Sequence, residues 1–261
     1  MRQTDQERTR RRLSASALVA ATLLLAGCSV VVSAAEPAGT VATPPVSALS
    51  APPATAPASA APAGSIDARA LLATLPVKGK APKTGYDRVG DFGPAWDLPG
   101  QACSTRDLIL ARDLTDIVRD GPCKVTSGTL HDPYTGKTIS FRRGVATSAE
   151  VQIDHRVPLA NAWQTGAQQL TFEQRRQLAN DPLNLVAVDG PTNAKKSDGD
   201  AATWLPPVKP YRCEYVAAQV AVKARYHLWV APAEHDAIDR ILAGCAPMMV
   251  PQPGTTTPTG R

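Results

Sequence analysis

Seven prolines between Pro37 and Pro62, spaced among Ala, Ser, Thr, Gly and Val, take a large part of this 261-residue chain out of any packed fold. Each proline fixes φ and lacks an N–H, so residues 34–64 propagate neither helix nor sheet and read as an extended tether. Residues 247–261 (PMMVPQPGTTTPTGR) have a similar character and read as a disordered tail. The foldable part is therefore residues 66–246, enough for one domain with a real core.

The chain opens with Arg2, Arg8, Arg10, Arg11 and Arg12, followed by an apolar run from Leu13 to Ala26. A basic start, a short apolar run and small residues before a cut describe a secretory leader. The run is shorter than the ~20 apolar residues of a bilayer span. Its end, Leu25-Ala26-Gly27-Cys28, resembles the lipobox of bacterial lipoproteins, in which the cysteine is acylated and becomes the new N-terminus. That resemblance implies a leader over residues 1–28, lipidation at Cys28, a linker over 29–65 and a place on the outer face of the cell membrane, touching the membrane through the lipid alone. A plainly secreted protein, cut after Ala34 or Ala35, is the alternative.

The net charge of +5 does not identify a partner. The first 35 residues hold five Arg against two acids, whereas residues 66–246 hold 22 Lys and Arg against 20 Asp and Glu. Any phosphate-binding surface must be local. Cys103, Cys123, Cys213 and Cys245 match no zinc spacing. In an exported chain their even number suggests disulfides. Of three possible connectivities, Cys103–Cys123 with Cys213–Cys245 is preferred because each pair flanks one local unit. A four-cysteine zinc site is the poorer alternative.

Within the domain, Ser65 is expected to cap a helix over 66–75, and the Gly-, Pro- and Lys-rich stretch 76–102 to be irregular. Apolar spacing predicts a helix over 105–119, stopped by Gly121-Pro122. Strands are expected over 123–130 and 137–142, joined by an Asp132-Pro133-Tyr134-Thr135-Gly136 turn. A third strand, 151–153, runs into Asp154-His155. Helices follow over 158–167 and, from the capping-box pattern Thr171 to Gln174, to about Asn180. Residues 183–188 (LNLVAV) read as an apolar strand carrying Asn184. Thr192 is expected to cap a short helix bearing Asn193, Lys195 and Lys196. Two helices, 211–226 and 232–243, complete the domain.

Two strands and a helix can gather Asp154, His155, Asn184 and Asn193 on one patch. Phosphodiester hydrolysis needs such a set: an oxygen-rich cation site to stabilise charge, and a neutral imidazole, held in one tautomer, to deprotonate water. Adjacent residues on a strand face opposite ways, so the Asp-His pair works only if the strand ends there, which Pro158 favours. An Asp-His pair by itself is more often a structural ion pair.

The strings QIDHRVPLA (152–160), LNLVAV (183–188) and PTNAKKSDGD (191–200) together resemble the HNH endonuclease superfamily, and within it the secreted, GmrSD-like group. The resemblance runs from about Gln101 to Cys245, including SGTLHDPYTGK at 127–137 and YRCEYVAAQVAVKARYHL at 211–228. It implies an α+β fold with a ββα-metal (His-Me finger) core, surrounding helices and a small antiparallel hairpin. It further implies that His155 is the general base, that Asn184 orients it, and that Asp154 and Asn193 hold a metal. Asn at the last position gives a hard oxygen site, favouring Mg²⁺, then Mn²⁺, over Zn²⁺. Lys195, Lys196, Arg142 and Arg156 are the candidate substrate-binding residues. Arg156 departs from the pattern, standing where an apolar residue is usual.

The expected activity is thus an exported, metal-dependent endonuclease of low sequence specificity. It would act as a monomer on nucleic acid, DNA in preference to RNA. A catalytically silent nucleic-acid- or envelope-binding lipoprotein of the same fold is the alternative. No G-x-S-x-G elbow supports a serine hydrolase, no base-reading module is recognisable, and no protein partner is implied.

Overall fold

A computed structural model describes residues 64–96, 100–145 and 147–253. The leader, Cys28, almost all of the 29–65 linker and residues 254–261 lie outside the described residues.

Helices and strands are mixed without βαβ repetition, an α+β arrangement. Strands β1 (Ser65–Asp67), β2 (Leu114–Asp120), β3 (Lys124–His131), β4 (Thr138–Arg142), β5 (Val151–His155), β6 (Leu185–Asp189) and β7 (Met249–Pro251) form three separate antiparallel groups: β1–β7, β2–β3–β4 and β5–β6. The helices are α1 (Ala68–Leu72), α2 (Arg88–Phe92), α3 (Thr105–Asp113), α4 (Leu159–Gln164), α5 (Phe172–Asn180), α6 (Gly190–Lys196), α7 (Arg212–Arg225) and α8 (Pro232–Ala243).

The β5–β6 pair lies between two cores, which explains why LVAVD is apolar almost throughout and wholly buried. Period-two alternation sends Val151, Ile153, Leu185 and Ala187 toward Ile109 and Leu110 of α3 and Val125, Leu130 and Phe141 of the three-stranded sheet. Val186 and Val188 go the other way, into a cluster with Tyr134, Tyr215, Val216 and Val220. A third cluster, including Phe92, Val157, Leu178 and Leu228, packs α2, α4 and α5 against the end of α7.

The α5 capping box forms as the sequence predicts: Thr171 Oγ1 accepts from Gln174 N, and the Gln174 side chain accepts from Thr171 N. The helices at 212–225 and 232–243 and the hairpin β3–β4 also fall where expected. Several elements differ. The helix expected over 105–119 ends at Asp113, and Leu114–Asp120 returns as a strand paired with β3. Its apolar residues Leu114, Ile117 and Val118 serve either period, and pairing with β3 supplies the backbone bonds that decide it. Ser65 lies in β1 rather than capping a helix, and Asp67 caps α1 by accepting from Arg69 N and Ala70 N. The irregular 76–102 stretch contains α2, capped by Asp87. Residues 249–251, read as tail, pair with β1 and bury Val250.

Cys103 bonds Cys123 and Cys213 bonds Cys245, the preferred connectivity. The second bridge closes 32 residues between the start of α7 and the end of α8. Loop-closure entropy makes that bridge worth about 3–4 kcal/mol. The Cys213→Ser, Cys245→Ser double variant is expected to lose about that much stability, read from the shift of its denaturation midpoint.

Candidate active site

β5 and β6 pair with His155 opposite Leu185 and Val151 opposite Asp189, and α6 starts directly after β6. The order is strand, strand, helix. Asp189, not Thr192, caps α6: its carboxylate accepts from Thr192 N (2.8 Å) and Thr192 Oγ1 (2.7 Å). Gly190 lets this corner close on β5, since a Cβ there would lie 1.9 Å from the carbonyl oxygen of Ala149.

β5 does not end before His155. The strand runs through it, so Asp154 and His155 do depart to opposite faces. Both still border one cleft of about 490 Å³, because residues 152–155 line it in succession. Among the described residues β5 pairs with no strand but β6, and on its other edge Arg106 donates to Val151 O and Lys196 to His155 O.

His155 is buried. Its Nε2 lies 2.9 Å from the carbonyl oxygen of Ala179, which can only accept, so Nε2 carries the hydrogen and Nδ1 is the basic nitrogen. The indole of Trp96 stacks on the ring, with centroids 5.7 Å apart and planes 12° apart. Burial, and then the charge of Arg88, push the imidazole pKa down to about 3. The ring is therefore neutral at physiological pH. In the unfolded chain it titrates near ~6.5. Above that pH neither state is protonated and the group is indifferent to folding. As pH falls from 6.5 toward 3 the unfolded chain takes up a proton that the folded chain refuses, so stability is lost through this window. Melting temperatures measured across it should fall less steeply for His155→Gln than for the native chain.

Asp154 is also buried, and both carboxylate oxygens are engaged. Oδ2 accepts from the Tyr134 hydroxyl (2.5 Å) and Oδ1 from the Lys196 ammonium (2.9 Å), which also reaches the carbonyl of His155 (2.8 Å). Burial, and then Asp154, hold the Tyr134 pKa well above its ordinary value, so the phenol keeps its proton and donates it. Tyr134 comes from the β3–β4 turn, where Asp132 accepts from Tyr134 N and Thr135 N.

Asn184 precedes β6 rather than lying in it, and its side chain does not reach the imidazole. Its Oδ1 accepts from Val157 N (2.8 Å), its amide donates toward Val157 O (3.3 Å) and Leu178 O (3.4 Å), and its own carbonyl accepts from Arg156 N (2.7 Å). It clamps the backbone just after His155, while Ala179 holds the ring. Asn193, on α6, lines the cleft and donates to Gln152 Oε1 (2.9 Å).

The four candidate substrate-binding residues fare differently. Lys196 points inward to Asp154 and is fully buried, which corrects its expected place on phosphate. Lys195, one helical step of ~100° away, is exposed over a neighbouring hollow. Arg156 is buried, donating to Leu183 O (2.9 Å) and the Tyr211 hydroxyl (3.1 Å), so it pins the strand end to the segment before α7 and is neither exposed nor free for substrate. Arg142 is exposed on β4 and does not border the cleft. In its place stand Lys83, Tyr86, Arg88, Trp96 and Arg106. Sequence reasoning missed the first four because they lie in the stretch read as irregular; clustered basic and aromatic residues there were the available signal. Asp198 also lines the cleft, paired with Lys83 (2.7 Å), while Asp200 pairs with Lys80.

The family described as GmrSD restriction endonucleases, C-terminal domain, matches residues 105–241. An uncharacterized secreted protein of Arthroderma benhamiae is 39% identical over 180 residues, covering 68% of this chain and 84% of that protein. No solved structure matches. With over half its length matched to that family and a relative this extensive, the chain belongs to the GmrSD restriction endonuclease C-terminal domain family.

Proposed function

We propose that the chain is an exported, metal-dependent HNH endonuclease that hydrolyses nucleic-acid phosphodiester bonds with low sequence specificity, using His155 as general base. The observation that carries this reading is the neutral imidazole of His155, with Nε2 tied to Ala179 O and Nδ1 left as the proton acceptor beside the cleft.

A divalent cation fits the donors available. Each oxygen of Asp154 keeps a second lone pair beyond its bond to Tyr134 or Lys196. Asn193 gives its NH₂ to Gln152, which leaves its amide oxygen as a hard ligand. No group of three or more His, Cys, Asp or Glu suited to a metal stands together among the described residues. One carboxylate and one amide therefore suit Mg²⁺, which keeps waters and phosphate oxygens in its shell, better than Zn²⁺. When bound, the ion supplies charge stabilisation to the phosphate and the leaving oxygen.

The chain's residues do the rest. Nδ1 of His155 takes a proton from water as its oxygen bonds to phosphorus and the bond from phosphorus to the 3′ oxygen breaks. The 3′ oxygen is protonated from solvent, giving a 5′-phosphate and a 3′-hydroxyl. Ala179 keeps the ring fixed, Asn184 clamps the backbone that follows it, and Trp96 shields its face. Residues 1–28 serve as leader, Cys28 as the lipidated residue and the linker as tether up to β1, which takes Ser65 into the fold. The two disulfides fit an oxidising compartment, and the relative from Arthroderma benhamiae is named as secreted.

The engagement of both oxygens of Asp154 by Lys196 and Tyr134 favours a second reading, a silent nucleic-acid-binding protein with the same fold. Digestion of supercoiled plasmid, single-stranded DNA and RNA across a titration of Mg²⁺, Mn²⁺ and Zn²⁺ separates the two. The nuclease reading expects Mg²⁺-dependent cleavage stopped by EDTA, fastest on DNA. Retention of DNA without cleavage in any metal selects the silent binder.

A further inference from the structure

The cations around the cleft are not equivalent. Lys83 is neutralised by Asp198 and Lys80 by Asp200. Arg88 makes no hydrogen bond or ion pair with any described residue, yet it stands close enough to His155 to depress its pKa. Among the described residues Arg106 donates to carbonyls alone, from Nη2 to Val151 O (3.0 Å) and Ser148 O (3.5 Å), which leaves Nε and Nη1 without a described partner. Burial, and then the nearby Arg143, lower the pKa of Arg106, while Asp107, which pairs with Arg143, works against them. Trp96 and Arg106 border both the cleft and a second hollow of about 470 Å³ that reaches Arg143. A ligand longer than one phosphate therefore has a path out of the cleft past Arg106, and Arg143 at its far end is paired with Asp107.

We propose that Arg88 and Arg106 hold the phosphates flanking the scissile one on a polynucleotide strand, which leaves the cleft past Trp96 into the second hollow. This rests on the nuclease reading for where the strand is cut, but the grip itself is a property of binding. Arg106 suits a fixed phosphate contact, because its guanidinium is already oriented by two carbonyls. Arg88, exposed and without a partner among the described residues, adds charge at the cleft.

Equilibrium binding of a labelled single-stranded DNA oligonucleotide to the full chain, followed by anisotropy in EDTA across a salt series, reads the grip without cleavage. Arg88→Gln is expected to weaken binding several-fold at low salt and to lower the slope of log affinity against log salt by about 0.7, the loss of one phosphate contact. Arg106→Gln should do the same. Arg88 has no structural partner to lose among the described residues, so its variant stands even if Arg106→Gln folds poorly. Arg142→Gln, off the cleft, should leave affinity and slope at native values. Native affinity and slope in both cleft variants overturn the proposal and leave the nuclease reading untouched. A native chain that does not retain the oligonucleotide overturns both. Binding with lowered slopes in the variants, but no cleavage in any metal, supports the grip and removes the nuclease reading.

Discussion

Replacing His155 with Ala is expected to slow plasmid nicking by about 10²–10⁴-fold, the usual contribution of a positioned general base. His155 is buried and holds the carbonyl of Ala179, so a structural explanation for such a loss must be separated from a chemical one. His155→Gln does this. Its side-chain amide can donate toward Ala179 O but cannot accept a proton at neutral pH. His155→Gln is expected to be nearly as slow as His155→Ala while melting closer to the native chain. Recovery of most of the rate in His155→Gln would make the residue a packing element. Because the folded imidazole titrates near 3, the native rate should also show no inflection at the ordinary histidine pKa.

Lys196→Met is expected to destabilise the fold by about 3–5 kcal/mol, the cost of leaving a buried charge without its partner. Lys196 and Asp154 are both buried, and the ammonium also caps the carbonyl of His155. Solvent does little to screen this pair, so the cost exceeds that of an exposed pair such as Lys124–Asp120. The Lys196→Met, Asp154→Leu double variant should regain much of the stability, since removing both charges also removes the desolvation cost. It should not regain activity. Equal destabilisation of Lys196→Met and Lys124→Met in urea titrations would show that the buried pair does not carry the site.

These two residues also show what the sequence can and cannot convey. Asp154-His155 was legible because a rare pair sat at the end of an apolar strand, with Asn184 and Asn193 following in order. Which way each lysine of Lys195-Lys196 points was not legible. Adjacent residues on a helix differ by ~100°, and only the depth of Asp154 decides which one is drawn inward. Arg156 was misread for a similar reason: its partners, Leu183 O and Tyr211, are remote in sequence. Local signals did well where local physics dominates, as in the Thr171–Gln174 capping box and the DPYTG turn. They failed over 114–120, where pairing with β3 overrides a helical spacing, and over 76–102, where α2 and Trp96 gain their order by packing on α4, α5 and His155.

Cleavage by this route requires proton transfer to one nitrogen, Nδ1 of His155. The direct measurement is nicking of supercoiled plasmid by the purified chain and by His155→Gln, side by side in Mg²⁺, with EDTA as control and the cut ends assayed for ligation. The expected result is Mg²⁺-dependent nicks by the native chain, ligatable because they carry a 5′-phosphate and a 3′-hydroxyl, and a loss of about 10²-fold or more in the variant. Equal nicking by the two proteins, or native nicking that persists in EDTA, would contradict it.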